Sequence, residues 1–302
     1  MRRSLTASLA LVLLNGFTFF APARAAPQTF NNALPVAAGE FVFREQFIYR
    51  KAGDGPGPAD RELKVRGALS VLGYGVTGNL AVFGILPYLD KELKLTTPGR
   101  QRLTRDTSGI ADARLFARYT VYRRDAPGRT LRIAPFLGVE LPTGDDDDGD
   151  NLGPLPAPLQ LGSGSWDLSG GIVATRQTLD YEMDAQVSYK LNTGANQFEF
   201  GDEVRLDASF QYRLWPRELS TGVPGFFYGV VEANLVHQEK NKASGVRDDN
   251  SGGTSFFLSP GIQYAMERWV LEAIVQLPVT QNLKGTALED NYVVRTGFRV
   301  NF

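Results

Sequence analysis

The last thirteen residues of the chain, Asp290 to Phe302, alternate in character without a break. Tyr292, Val294, Thr296, Phe298, Val300 and Phe302 fall on one parity, and Val293, Arg295, Gly297, Arg299 and Asn301 on the other. Successive strand residues point to opposite faces, so one face is apolar and the other carries two arginines. A strand with one greasy face that runs to the end of the chain needs a sheet partner and an apolar medium. A closed barrel in a lipid bilayer supplies both.

The same period recurs upstream. From Gly39 onward, twelve segments of about ten to fourteen residues alternate, near the length a tilted strand needs to cross a bilayer. They span 40–50, 61–74, 80–90, 111–123, 131–141, 166–177, 181–192, 203–215, 226–238, 254–265, 269–280 and 290–302. In 61–74 the apolar parity is Leu63, Val65, Leu69 and Val71, whereas 80–90 is apolar on both faces and shows no parity. In 181–192, Tyr181, Met183, Ala185, Val187, Tyr189 and Leu191 alternate with Glu182, Asp184, Gln186, Ser188 and Lys190. Long polar connections (51–60, 91–110, 142–165, 193–202, 239–253, 281–290) alternate with short ones (75–79, 124–130, 178–180, 266–268), and 216–225 is the outlier. Even strand number, short turns at one end and long loops at the other predict an all-β fold. It is a 12-stranded antiparallel up-and-down transmembrane β-barrel over residues 39–302, with both termini in the periplasm.

Charge placement tests the scheme, because an Arg or Lys on the lipid face at mid-bilayer costs roughly 2–4 kcal/mol. Where parity is clear, Glu45 alone breaks the apolar face near mid-strand; Arg123 and Arg176 lie on that face at strand ends, where a long stem can snorkel. Aromatic residues gather at the ends of the apolar face. Tyr181, Trp215, Phe227, Tyr264, Trp269 and Phe302 fall at the periplasmic end, and Trp166, Tyr189 and Tyr292 at the outer end. Two girdles are the expected arrangement.

The N-terminus sets the compartment. Arg2 and Arg3, an apolar run from Leu5 to Phe20, and Ala23-Arg24-Ala25 form the three parts of a secretory signal peptide, cleaved to leave residues 26 onward. Residues 26–38 are then a lead-in that lies either inside or below the barrel. The expected destination is the cell outer membrane. The chain has no cysteine, which removes disulfide scaffolds, thiol nucleophiles and thiolate metal sites. A net charge of −1 gives no footing for nucleic acid.

The inward parity carries the charge: Arg44, Arg66, Arg114, Arg118, Arg132, Arg205, Arg213, Arg295 and Arg299, with Glu140, Glu182, Asp184, Glu203, Asp207, Glu232 and Glu272. These are the candidate substrate contacts, and structural ion pairing is the competing reading of each. Hairpin register sets Arg114 opposite Glu140, and Glu272 opposite Arg299. Twelve strands lie between barrels filled by side chains and barrels filled by water, so the charges either line a narrow pore or plug it. Asp145 to Asp148, Gly149 and Asp150 form a carboxylate run that fails the EF-hand spacing and reads as a solvated loop. His237 is the only histidine, with Glu239 rather than serine two residues on, so no triad is supported. No cofactor, metal site or enzyme activity is expected. Loop 142–165, stiffened by Pro154, Pro156 and Pro158, is either a lid over the pore or a mobile surface loop.

Three motifs carry a resemblance. They are Gly75-Val76-Thr77-Gly78-Asn79-Leu80-Ala81-Val82-Phe83 with Leu86-Pro87-Tyr88, then Leu141-Pro142-Thr143-Gly144-Asp145, then Leu161-Gly162-Ser163-Gly164-Ser165-Trp166-Asp167. In order and spacing the chain resembles, from roughly Gly67 to Phe302, the outer-membrane family labelled "MetA-pathway of phenol degradation", often simply called transporters. The resemblance implies a barrel that passes small hydrophobic or aromatic solutes, and it supplies no catalytic residues. The partners then expected are outer-membrane lipid and lipopolysaccharide, the solute, and the assembly machinery acting on Phe302. A structural or adhesive barrel with a closed lumen is the alternative, and a lipid-acting enzyme a more distant one.

Overall fold

The structure, a computed structural model, describes residues 25–53, 59–218 and 225–302. The leader expected over 1–25 lies outside the described residues apart from Ala25.

Twelve strands follow one another around a closed ring: β1 (Phe41–Gly53), β2 (Glu62–Gly75), β3 (Leu80–Thr96), β4 in three pieces (Arg102–Ile110, Ala113–Tyr119, Tyr122–Ala126), β5 (Arg129–Leu141), β6 (Asp167–Thr178), β7 (Tyr181–Leu191), β8 (Glu203–Trp215), β9 (Phe226–Gln238), β10 (Gly253–Ala265), β11 (Trp269–Leu283) and β12 (Asp290–Asn301). Every strand pairs antiparallel with its neighbours in sequence, and β12 closes onto β1 from Val42–Asn301 to Lys51–Tyr292. The ends lock where Phe41 and Phe302 exchange main-chain hydrogen bonds and stack their rings 5.8 Å apart. Closure leaves no open edge, so neighbouring wall strands satisfy one another's main-chain groups without water.

Parity is read from residues of known exposure. Phe47, Leu137, Met183, Leu206, Leu258 and Leu277 are exposed on the outside, whereas Gln46, Glu182, Asp207, Glu232 and Gln276 are buried within. Outward-facing Glu45 accepts a hydrogen bond from Ser70 Oγ at 2.7 Å. That bond satisfies one carboxylate oxygen where lipid offers no donor. Tyr49 and Tyr292 meet at 6.0 Å toward the loop end, and Trp215 and Trp269 lie exposed near the turn end.

Three expectations need correction. In β2 the faces are exchanged: Leu69 pairs with inward Gln46 and Val71 with inward Arg44, while Ser70 and Leu72 look outward. Alternation marks which face is apolar, not which medium it meets, and here the lumen wall is itself apolar. Arg66 therefore points out, toward Asp90 at 3.4 Å, and leaves the set of lumen charges. Segment 91–110 is not a loop: β3 and β4 continue as a ladder from Tyr88–Ile110 to Thr96–Arg102. On its flank Lys51, Glu62, Lys64, Glu92 and Lys94 form a ladder of opposite charges, suited to water beyond the bilayer. The β11–β12 register differs by two residues, so Glu272 faces Gly297, and Arg299 faces Val270. The ladder stops at Gln276–Val293, below Pro278, which has no N–H to give. The Arg114–Glu140 pairing holds, with Nε 2.5 Å from Oε2.

Candidate functional site

The lumen contains a cavity of about 1380 Å³, and its wall has two unlike halves. Strands β2 to β5 supply the apolar half: Leu69, Val71, Phe83, Ile85, Leu89, Phe116 and Phe136 line it. The rings of Phe83 and Phe116 stack 4.6 Å apart and nearly parallel, and Phe136 meets Phe116 edge-on at 6.4 Å. Arg118 lies 5.0 Å above the Phe83 ring. Offset rings and an overlying guanidinium are what a flat aromatic solute would meet favourably.

Strands β6 to β12 and β1 supply the polar half, tied together by several runs of hydrogen bonds. Gln186 and Asn234 both donate to Asp207, at 3.2 and 2.8 Å. Gln276 donates to Asn234 at 3.1 Å, Arg295 to Gln276 at 3.0 Å and to Gln46 at 3.2 Å. Arg44 bonds Glu272 at 2.7 Å. Gln211 donates to Asp184 at 3.2 Å, and Gln177 donates to Glu182. Buried polar groups persist only when bonded in this way.

Toward the loop end a second set spans β4 to β7. Glu140 takes Arg114 and Lys190, and Lys190 reaches Asp167 at 3.3 Å. Toward the turn end Arg132 meets Asp125 at 3.3 Å, and Arg213 meets Asp180 at 2.6 Å. Arg205 bonds Asp207 and lies near Glu203.

Residues 25–32 and 34–37 also line the cavity, and Ala33 packs against Ala134 and Val173 of the wall, so the lead-in lies inside the barrel. Glu232, midway along β9, receives the N–H groups of Gln28 at 2.6 Å and Thr29 at 3.0 Å. Gln263 bonds both polar main-chain atoms of Ala26, and Thr175 Oγ1 receives the N–H of Ala33 at 2.7 Å. Arg118 donates to the carbonyls of Asn32 and Leu34.

Loop 142–165 is built at its foot around Asp112, in the bulge of β4. Asp112 Oδ1 accepts from the N–H groups of Thr143 (3.0 Å) and Gly144 (2.9 Å), and Oδ2 from Ser163 N (2.7 Å) and Oγ (3.0 Å). The two motif segments are thereby clasped together. At Gly162 a Cβ would come 2.3 Å from the carbonyl oxygen of Gly144, so no side chain fits there. Leu155, Leu159 and Leu161 are buried beneath the loop, and Lys91 Nζ donates to the carbonyls of Pro158 and Gln160.

Of the charges expected in the lumen, all but Arg66 face it. Asp112 and Lys190 fall on the charged parity but are not among the candidate contacts, and alternation singles out neither Lys91, Asp167 nor the phenylalanines. Phe116 and Phe136 sit on the charged parity of their strands, and Phe83 in the segment without parity. An aromatic on a charged face is the signal that was there to find. His237 lies outside, its Nδ1 2.8 Å from Thr254 Oγ1.

The family described as "Putative MetA-pathway of phenol degradation" matches residues 60–295. No protein of curated function matches the sequence. The fold is similar to an outer membrane channel from Pseudomonas putida F1 at TM-score 0.67 and 14% identity, covering 92% of this chain and 100% of that one. The β domain of the Bordetella autotransporter BrkA aligns at TM-score 0.47 and 15% identity, over 88% of this chain and 100% of that one. At these identities the likeness is one of fold.

Proposed function

The chain belongs to the family described as the putative MetA-pathway of phenol degradation, and from that membership we propose that it is an outer-membrane channel for small hydrophobic or aromatic solutes. One observation carries the reading: a stacked phenylalanine wall of Phe83, Phe116 and Phe136 faces a charged, hydrogen-bonded wall across a single cavity. A solute with a flat apolar body and a polar end suits both walls at once. Arg118, beside the rings, and Arg44, Arg205, Arg295 and Arg299, across from them, are the cations it would pass. Glu140, Glu182, Asp184, Asp207, Glu232 and Glu272 set the balancing charge. Access from outside runs beside loop 142–165, a fixed constriction because its foot is tied to Asp112. The family's description and the degraded aromatic it names support the solute class.

Liposomes carrying the protein and loaded with benzenesulfonate or methanesulfonate test this, since neither ion crosses a bilayer unaided. Benzenesulfonate should leave faster than its size predicts. Phe116→Ala should lower its flux roughly fivefold relative to methanesulfonate, the equivalent of about 1 kcal/mol of ring contact. Equal loss of both ions would remove the aromatic wall from the account.

The second reading, a closed barrel that works through its outer loops, draws on the segment lodged in the lumen. It would stand if neither ion moved. The remaining partners follow from the setting: outer-membrane lipid around the apolar belt, lipopolysaccharide at the charged ladder of β1 to β3, and assembly factors at Phe302.

A further inference from the structure

Resting on the channel reading above, we propose that residues 26–34 are a displaceable plug, held in the lumen by its own backbone, which closes the solute path and leaves when solute passes. The segment enters from the turn end, reaches mid-depth at Gln28 and Thr29 where Glu232 holds it, and turns back toward Arg118 and Thr175. It thus lies across the lower lumen, between the phenylalanine wall and the polar wall.

What holds the segment differs in kind from what holds the barrel. Residues 25–39 contain no charged side chain, so the charged wall grips mostly main-chain atoms; the side chains of Thr29, between Glu232 and Asn234, and of Gln28, on the Ile262 carbonyl, add to the hold. Gln46 donates to the carbonyl of Gln28 at 3.0 Å and Arg44 to that of Pro27 at 3.2 Å, in addition to the bonds from Gln263, Glu232, Thr175 and Arg118. Among the described residues, no main-chain bond ties 26–34 to a wall strand. Pro27 and Pro35 bracket the segment and lack the N–H that joining a ladder requires. Bonds of this kind are exchanged for bonds to water when they break, so each holds the segment by far less than its strength in isolation. The wall itself exchanges none of its ladder when the segment moves.

The segment is also hinged. Gly39 adopts φ +82°, a left-handed conformation that favours glycine, and its N–H bonds the carbonyl of Gly75 at 2.8 Å. A Cβ at Gly75 would lie 2.0 Å from the carbonyl oxygen of Ala37, so only glycine lets the chain pass the turn there. Movement about Gly39 would free residues 26–34 while β1 stays paired. Removing the segment would expose Arg118 and Glu232 to the solute path.

A reversible lock tests the proposal. Ala33 and Ala134 are both fully buried in one cluster with Val173 and Phe136, and the chain has no native cysteine. Ala33→Cys with Ala134→Cys should form a disulfide on oxidation, visible as a gel shift. Bilayer conductance and benzenesulfonate flux of the full chain should then fall at least tenfold, and recover on reduction of the same sample. Deletion of 27–34 should conduct at least as well as the reduced protein, and Glu232→Gln should raise conductance several-fold over the native chain. Equal conductance before and after reduction overturns the proposal, because solute would be passing a segment that never leaves. If the deletion variant too conducts nothing, the channel reading falls and the plug with it.

Discussion

Single residues here take their role from what they bond across the ring. Asp112 falls on the charged parity of segment 111–123, but alternation says nothing of its partners: its carboxylate accepts four hydrogen bonds and gathers Thr143, Gly144 and Ser163 into one foot. Leaving buried donors unpaired costs about 1–3 kcal/mol each. Asp112→Ala should therefore release the loop while the barrel persists. Protease added to intact vesicles should cut within 145–160 in the variant and not in the native chain; a loop that stays resistant would show that Asp112 does not hold it. Glu45 makes the opposite point. Its place on the outer face is legible from alternation, and its partner Ser70 is not, because β2 turns its apolar parity to the lumen and its polar parity outward. Arg66 points outward for the same cause.

At the scale of elements, the strands were legible because period and turn chemistry are local. Segments 203–215 and 226–238 match β8 and β9 to the residue. The ladder beyond Tyr88 was not legible: one face carries charged residues and the other bonds loop 142–165 through Lys91, Arg105 and Thr107, so hydrophobic alternation disappears although pairing continues. That extension supports loop 142–165 from above. Arg105 forks onto Asp150 at 2.8 and 2.9 Å, and Thr107 donates to Asp148 at 2.7 Å. The hydrogen bonds from Arg105, then the N–H of Leu152, hold the Asp150 carboxyl below the usual carboxylate range. A lowered pKa in the folded state stabilises the contact above the ordinary aspartate value, and that contribution is lost as pH falls through the lowered value. Amide protection over 149–154 should thus exceed that of Arg105→Ala at neutral pH. The two should converge under acid, and a difference that persists there would separate the fork from the loop's order.

For the whole molecule, closure is the dominant fact. A ring without edges resists detergent until heat opens it, so an unboiled sample should migrate ahead of the boiled one in a denaturing gel, and β12 truncated before Phe298 should abolish the fast band. Equal migration would argue against a closed ring that survives in detergent. Closure also makes the lumen a shared property of the strands. Gln28 and Glu232 stand 204 residues apart, and Arg295 and Gln46 stand 249 apart. Glu272, expected opposite Arg299, bonds Arg44 at 2.7 Å, a contact that exists because β1 and β12 become neighbours only when the ring shuts.

The amino-acid order alone determined that there are twelve strands, where most begin and end, that they join in sequence, and that much of the outward belt is free of charge. These follow from a two-residue period and from the turns that interrupt it, and both are written within a few residues of each other. Tertiary structure alone decided that one lumen wall is phenylalanine-lined, that β2 shows its apolar face to it, and that residues 25–37 lie inside. An uncharged segment carries no mark of its surroundings, and an apolar face cannot say whether lipid or lumen awaits it. Those outcomes depend on which distant side chains face each other once the ring is complete.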